Sequence, residues 1–176
     1  CSKVIPRPSA ATPGCAKSIW GMGMAEALLE FRDVRSGYGE AVVLDGVSFT
    51  LPANGSLSVL GRNGVGKTTL LLTAMGFVGL ARGSIHWRGA DISHLPPHKR
   101  ARLGLGWVAQ ERDIFPSLSV EENLTVIARP GRWDLKAIYG LFPRLADRKN
   151  NMGNQLSGGE QQMLAIARTL MTNPAV

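Results

Sequence analysis

Residues 61–69 read GRNGVGKTT, and this stretch decides the fold class. Its glycines, lysine and threonine match the phosphate-loop pattern G-x-x-x-x-G-K-[ST] at every required position. The segment Ser56–Leu60 before the loop is compatible with a short strand, and the leucine-rich segment after it predicts a helix. The sequence therefore predicts an α/β domain that binds the phosphates of a nucleotide.

Each residue type in the loop has a chemical reason. Gly64 and Gly66 allow backbone conformations that point successive N–H groups inward, toward an anion at the positive end of the following helix. Lys67 reaches the β- and γ-phosphates, Thr68 is placed to ligate Mg²⁺, and Thr69 adds an α-phosphate contact. The predicted nucleotide-binding residues of the loop are Gly61, Asn63, Gly64, Gly66, Lys67, Thr68 and Thr69.

A second glycine pair stands in Leu156–Gln162, which reads LSGGEQQ. Ser157 and Glu160 have the spacing of a capping box, so a helix is predicted to begin here. A helix start with bare backbone and a hydroxyl group is also able to hold an anion. By itself the pattern supports both interpretations, a second anion site and an ordinary capped helix.

Strands and helices alternate along the chain. A turn is predicted at Ser36–Gly39, a capping box at Ser119–Glu122, and a helix end at Pro130-Gly131. The predicted strands are Leu28–Val34, Val42–Leu51, Ser56–Leu60, Ser84–Arg88 and Leu105–Ala109. Five helices are predicted. The first runs from the phosphate loop to Gly76, the second begins at Pro96-Pro97, the third begins at Ser119, and the fourth spans Asp134–Phe142. The fifth follows Ser157 and has an apolar stripe made of Met163, Ile166, Ala167, Leu170 and Met171.

The chain has 176 residues, 44% of them hydrophobic, which is enough for one domain with a core and too short for two. Residues 1–23 contain several prolines and glycines with little periodicity, so we predict a disordered leader of native or artefactual origin. Ordered patterning begins at about residue 24, and residues 24–176 form the predicted domain.

The formal net charge of +7 consists of +3 from residues 1–24 and +4 from the remainder. Because both signs are interspersed in the remainder, the charge does not predict a nucleic-acid partner. Lys99, Arg100 and Arg102 form the densest cationic cluster, which we interpret as a solvated helix face.

The cysteines, Cys1 and Cys15, lie in the leader without metal-binding spacing, which fits a reduced, cytosolic setting. The longest apolar run, Leu70–Ala81, is shorter than the roughly 20 residues that span a bilayer. We therefore expect no direct insertion into a membrane.

Taken with the phosphate loop, Leu156–Gln162 resembles the signature motif of ABC ATPases. Gln110, after the segment Leu105–Ala109, resembles the Q-loop glutamine of that family, and Tyr38 lies where the family places an aromatic residue that stacks on adenine. Over residues 26–176 the sequence is most similar to the ATP-binding subunits of branched-chain amino acid importers. The matching segments are Leu95–His98, Glu111–Pro116, Val120–Leu124, Leu141–Leu145 and Met163–Arg168.

The resemblance implies a RecA-like core with an antiparallel β subdomain and a helical signature subdomain at about residues 111–158. It implies ATP and Mg²⁺ as ligands, with Lys67 and Gln110 in catalytic roles and Thr68 and Gln110 at the metal. A polar strand end remains an alternative for Gln110, and a ring packed on the core remains one for Tyr38.

The resemblance also implies partners. Ser157, Gly158 and Gly159 would contact the ATP that a second subunit holds, in a head-to-tail dimer. Transmembrane permease subunits would bind this dimer at the cytoplasmic face of the inner membrane, where the chain is expected to be peripheral.

The family continues after Asn173-Pro174 with an aliphatic strand ending in Asp-Glu, then a D-loop and a switch histidine. Here Ala175 and Val176 follow, and the histidines all lie upstream. The predicted fold is therefore incomplete at its C-terminus, and we expect the chain as given to bind ATP without residues needed to hydrolyse it.

Several functions remain open. The leading one is an ATPase subunit that energises uptake of branched-chain or similar amino acids, and importers of urea or amides look similar. A soluble ABC protein that acts on ribosomes or DNA usually has paired cassettes or a coiled-coil insertion, and this sequence has neither. A truncated cassette without function is the third interpretation.

Overall fold

The structure is a computed structural model that describes residues 27–176, so the leader predicted at residues 1–23 lies outside the described residues. Contacts divide the chain into two compact units, residues 1–100 and residues 101–176. The described part of the first unit is built on a β-sheet, and the second unit is built mainly on helices.

The sheet of the first unit consists of the strands Ala27–Tyr38 (β1), Ala41–Pro52 (β2), Leu80–Trp87 (β3) and Ala90–Asp91 (β4). All pairings are antiparallel, and the spatial order is β2-β1-β3-β4. Phe31 of β1 stacks on Phe49 of β2, with ring centroids 4.5 Å apart. Such a cross-strand aromatic pair stabilises a sheet by about 0.5–1 kcal/mol. The predicted antiparallel sheet is therefore present.

The turn between β1 and β2 lies at Gly39-Glu40, so the prediction of a turn at Ser36–Gly39 is wrong. Gly37 belongs to the ladder, and a Cβ added to it would lie 1.9 Å from the carbonyl oxygen of Ala41. This glycine is needed for a close approach of two backbones. Gly39, with a φ of 57°, provides the left-handed conformation of the turn itself.

The phosphate loop is followed by the helix Lys67–Met75 (α1), as predicted. Gly76 ends α1 in a left-handed conformation, with a φ of 82°, and its N–H group donates to carbonyls of the last turn. The helix predicted at Pro96-Pro97 is present as Pro97–Arg102 (α2). The end of α1 and the start of α2 are thus both marked locally in the sequence, by Gly76 and by Pro96-Pro97.

Arg100, on α2, is buried, which corrects the interpretation of Lys99, Arg100 and Arg102 as a wholly solvated face. Its side chain is 2% exposed. The guanidinium donates four hydrogen bonds of 2.8–2.9 Å to backbone carbonyls of Thr73, Ala74, Leu95 and Ser93. Two of these acceptors belong to the last turn of α1, where carbonyls have no partner within the helix. Arg100 therefore stabilises the C-terminal end of the helix that begins at the phosphate loop.

Two predicted strands are not formed among residues 27–176, at Ser56–Leu60 and at Leu105–Ala109. At the second, the N–H group of Gly106 donates to the carbonyl of Val176, and the N–H group of Ala175 donates to the carbonyl of Gly104. These few backbone hydrogen bonds do not extend into a ladder, which is what defines a strand. Leu60 is 73% exposed, whereas Leu105 is buried. Other predicted strands are present, with boundaries shifted by a few residues.

The second unit contains the helices Val120–Thr125 (α3), Leu135–Leu141 (α4), Pro143–Asp147 (α5) and Gly158–Met171 (α6), and a short 3₁₀ helix at Gly153–Gln155. Both predicted capping boxes, at Ser119 and Ser157, are formed. The core of this unit is the cluster of Val120, Leu124, Ile138, Leu145, Leu156, Leu164, Ala167 and Met171. The predicted stripe on α6 is confirmed at Ala167 and Met171, which are buried, and at Met163 and Leu170, which are partly buried against the cluster. It missed Leu164.

Helix α3 ends earlier than the predicted stop at Pro130-Gly131. The hydroxyl of Thr125 donates to the carbonyl of Glu121 at 2.8 Å. The N–H group of Arg129 donates to the carbonyl of Met171, at the end of α6, at 2.9 Å. The N–H group of Arg129 therefore bonds to another helix instead of continuing α3. No residue near Arg129 in the sequence indicates this bond.

We predict that Arg100→Met lowers the free energy of unfolding by about 2–3 kcal/mol, because buried carbonyl groups lose a charged donor. Urea unfolding followed by circular dichroism measures the effect. Lys99→Met is the matched control, since Lys99 is exposed on the same helix, and it should change stability by less than about 0.5 kcal/mol. Equal effects of the two substitutions would contradict the role of Arg100.

We predict a pH-dependent contribution from Tyr139 on α4. Burial, and then the hydrogen bond that its hydroxyl donates to Glu121 at 3.0 Å, raise the pKa of Tyr139 to about 12 from 10.0. Because the folded-state pKa is raised, this contribution is complete below pH 10 and disappears as the pH rises through about 12. Tyrosinate absorbance at 295 nm, compared between the wild type and Tyr139→Phe, assigns the transition. A midpoint for Tyr139 near pH 10 would contradict the prediction.

Candidate nucleotide-binding site

The phosphate loop of the first unit ends in a tight turn that enters α1. Gly64 and Gly66 have φ angles of 81° and 98°, in the left-handed region that favours glycine. A Cβ on Gly66 would lie 2.9 Å from Cγ1 of Val43, so a side chain at this position is excluded by space as well as by conformation. The sequence prediction that these glycines permit unusual backbone conformations is confirmed.

The side chain of Lys67 folds back over the loop. Its Nζ donates to the carbonyl oxygens of Gly61 at 2.8 Å and Arg62 at 2.7 Å. Carbonyls are weaker partners for an ammonium group than phosphate oxygens, which carry formal charge. The lysine is therefore held at the mouth of the loop by bonds that an anion is able to replace.

The N-terminal end of α1 is electrostatically open. Its N-cap, Gly66, has no side-chain cap, and its first turn contains no acidic residue. By contrast, α3, α4 and α6 are each capped by a side-chain oxygen, from Ser119, Asp134 and Ser157. The partial positive charge at the start of α1 is thus left for an external anion. This geometry fits a phosphate group.

The remaining predicted residues of the first unit differ in accessibility. Thr68 and Asn63 are exposed, and the ring of Tyr38 at the end of β1 is 53% exposed. Thr69 is 7% exposed, and its carbonyl accepts a hydrogen bond from Thr73. Thr68 and Tyr38 are therefore free to meet a ligand, and their roles toward Mg²⁺ and adenine remain predictions.

The chemistry of the donors is compatible with Mg²⁺. This ion prefers oxygen ligands and is commonly held by one or two protein groups together with phosphates and water. The hydroxyl of Thr68 and the amide oxygen of Gln110 are ligands of that kind. Within residues 27–176, no group of three or more His, Cys, Asp or Glu side chains is arranged to hold a metal.

Gln110 belongs to the second unit and lies in an exposed turn after Leu105–Ala109. The turn closes through a hydrogen bond from the N–H group of Arg112 to the carbonyl of Ala109. Arg112 and Asp113 then have φ angles of 71° and 45°, which cost about 1–2 kcal/mol each in residues with a side chain. Residues that fold at such a cost are held by their surroundings.

The second predicted anion site is the start of α6. Ser157 is its N-cap and accepts from the N–H group of Glu160, while the N–H group of Ser157 donates to the Glu160 carboxylate at 2.8 Å. The hydrogen bond from the Ser157 backbone, and then the Ser157 side chain, lower the pKa of the Glu160 carboxylate. Gly158 and Gly159 are exposed, and among residues 27–176 a Cβ added to Gly159 would have no contact within 4 Å beyond its own helix. The helix start is therefore accessible, although part of its hydrogen bonding is internal.

Sequence reasoning missed the arginines around Gln110. The side chain of Arg112 donates to Oε1 of Gln161 on α6 at 3.2 Å, and its guanidinium lies 3.4 Å from a Cβ built on Gly158. The segment after Gln110 is thus brought against the start of α6. Arg168, also on α6, contacts the same segment at Asp113 and Phe115. No spacing rule in the sequence indicates these contacts.

Within residues 27–176, no helix combines the length and apolar character that crossing a bilayer requires.

Comparison with known proteins is consistent with the geometry. The sequence model of the ABC transporter family matches residues 44–176. The chain is 37% identical over 152 residues to BraG of Pseudomonas aeruginosa, a high-affinity branched-chain amino acid transport ATP-binding protein, covering 84% of this chain and 65% of that protein. It is 37% identical over 161 residues to LptB of Escherichia coli, a lipopolysaccharide export system ATP-binding protein, covering 84% and 64%.

A similar solved structure is that of a bacterial Atm1-family ABC exporter with ATP bound, with a TM-score of 0.71 and 28% identity. The alignment covers 87% of this chain and 29% of the exporter chain. The chain spans less than two thirds of the length of the curated relatives named above. The α/β fold, the complete phosphate loop and the family match over residues 44–176 agree, and the chain therefore belongs to the ABC transporter family as part of an ATP-binding domain.

Proposed function

We propose that this chain is the ATP-binding part of a transporter subunit that couples ATP binding and hydrolysis to uptake of branched-chain or similar amino acids. The observation that supports ATP binding is the start of α1, which has no side-chain cap and no acidic residue in its first turn and lies next to the ammonium of Lys67. The similarity to BraG supports the amino acid substrate. LptB, whose name refers to export, has the same sequence identity to this chain as BraG. The proposed direction of transport, uptake, is therefore based on the resemblance to importer subunits described under Sequence analysis.

Different residues of the site are suited to bind different parts of ATP and its metal ion. The backbone N–H groups of the loop and the start of α1 bind phosphate oxygens, and the ammonium of Lys67 moves from two carbonyls to the β- and γ-phosphates. Thr68 and Gln110 would each offer an oxygen ligand to Mg²⁺, which would neutralise charge on the phosphates. The exposed ring of Tyr38 offers a face on which adenine stacks.

A second copy completes the proposed site. Ser157, Gly158 and Gly159 present a hydroxyl group and bare backbone at a helix start, which is suited to a γ-phosphate held by another subunit. In this arrangement two chains bind head to tail and enclose ATP between them. Permease subunits in the inner membrane then hold the dimer at the cytoplasmic face, so the chain is peripheral.

We predict that Lys67→Ala weakens ATP binding by about 10–100-fold, since a charge-assisted hydrogen bond contributes roughly 1.5–3 kcal/mol. Fluorescence titration with a trinitrophenyl-ATP probe, displaced by ATP, measures the affinity. Lys99→Ala removes an exposed lysine from the same unit and should leave affinity unchanged. Displacement by AMP should be weak because AMP lacks β- and γ-phosphates. Equal ATP affinity of Lys67→Ala and wild type would contradict the proposed site.

We predict that a polypeptide of these 176 residues releases phosphate from ATP no faster than its Lys67→Ala variant. Lys67, Thr68 and Gln110 provide a charge clamp and metal ligands, whereas hydrolysis also needs a group that positions the attacking water. A malachite-green assay with excess ATP tests this expectation. Turnover comparable with that of an intact transporter ATPase would contradict it.

A further inference from the structure

The backbone that follows Gln110 is attached to the rest of the second unit by side chains from two helices. Arg112 donates to Gln161 of α6, and the carbonyl of Asp113 accepts from Nη2 of Arg168, also on α6. On the other side, Asn123 of α3 accepts from the N–H group of Phe115 and donates to its carbonyl, both at 2.9 Å. Residues 112–115 therefore have a defined path although Asp113 and Phe115 are exposed.

Arg168 makes the most unusual of these contacts. Its guanidinium carbon lies 4.7 Å from the centre of the Phe115 ring, a cation–π distance, while Nη2 binds the backbone of Asp113. None of the ion pairs within residues 27–176 includes Arg168. Its Nη1 is buried without a hydrogen-bond partner in the described part of the chain. The contacts of this cation are thus directed at the segment after Gln110.

A cavity adjoins this segment. It has a volume of about 70 Å³ and is lined by Trp107, Arg112, Asp113 and Arg168, among others. Arg112 and Asp113 thus keep their left-handed conformations without being enclosed on all sides. A specific tie is needed to keep these residues in a conformation that few side-chain-bearing residues adopt.

We propose that Arg168 is a positioning residue for Gln110: by binding the Asp113 carbonyl and the Phe115 ring, it fixes the backbone that sets where the Gln110 amide points. The functional part of this inference rests on the proposed role of Gln110 at Mg²⁺. The same contacts tie the Gln110 turn to α6, the helix that begins at Ser157. Arg168 touches neither predicted phosphate site in this structure and acts through Asp113 and Phe115.

The first test is hydrogen–deuterium exchange of the 176-residue chain without nucleotide. We expect Arg168→Met to speed exchange in peptides covering residues 110–116 by about 10-fold or more, while protection of β1 and β2 is unchanged. Arg168→Lys, which retains a cation and a donor, should restore part of the protection and serves if the methionine variant folds poorly. Arg132→Met is the matched control, because that arginine also stacks on a ring, of Trp133, at 5.1 Å. Unchanged exchange at residues 110–116 in Arg168→Met would overturn the proposal.

The second test is the affinity of Mn²⁺ for the chain in the presence of ATP, measured by electron paramagnetic resonance. We expect Arg168→Met to weaken Mn²⁺ binding by about 10-fold, as removal of a group that orients a ligand does. In the background of Gln110→Ala the same substitution should have no further effect, because Arg168 acts through Gln110. Additive effects would overturn the proposal. If the wild type binds no ATP–Mn²⁺, the proposed function fails, and the exchange experiment still decides whether Arg168 holds the turn.

Discussion

The unneutralised positive end of α1 is the constraint on which the first unit depends. Backbone N–H groups at a helix start lack partners within the helix, and proteins normally supply a side-chain oxygen or water. Here the N-cap is a glycine, no acidic residue lies in the first turn, and the nearby ammonium of Lys67 adds more positive charge. The loop is stable in this state because Lys67 is bonded to backbone carbonyls, and a phosphate improves on those partners.

The C-terminal end of the same helix, unlike its N-terminal end, is neutralised by a charged side chain. Arg100 places a buried cation against the carbonyls of Thr73 and Ala74, where the helix carries partial negative charge. The hydroxyls of Ser36 and Thr73 share a buried hydrogen bond of 2.9 Å that ties β1 to α1. The C-terminal half of α1 is thus firmly bound to its unit, and its N-terminal end is left exposed to solvent. A fixed helix with one open end is suited to binding an anion without a shift of the helix itself, while the side chain of Lys67 changes partners.

The sequence was sufficient wherever the signal is local. The glycine conformations of the phosphate loop, the capping boxes at Ser119 and Ser157, and the end of α1 at Gly76 are all set by residues within a few positions, and each was predicted. Features that need a distant partner were not predicted. Ser56–Leu60 looks like a strand but has no described neighbour, and Gly37 looks like a turn residue although it serves a close backbone approach. Arg100 looks solvated because two of the carbonyls that bind it, those of Thr73 and Ala74, belong to another helix.

Helix α6 has a mechanical consequence. It begins at the glycines after Ser157 and carries Arg168 in its last turn, about 15 Å along the axis at 1.5 Å per residue. A helix whose inner face is packed in a core transmits an axial shift with little loss, because its backbone hydrogen bonds resist stretching. A displacement imposed on its first turn would therefore be carried along the helix to Arg168, whose side chain binds the carbonyl of Asp113. Helix α6 therefore connects its exposed N-terminal glycines mechanically to the Gln110 turn.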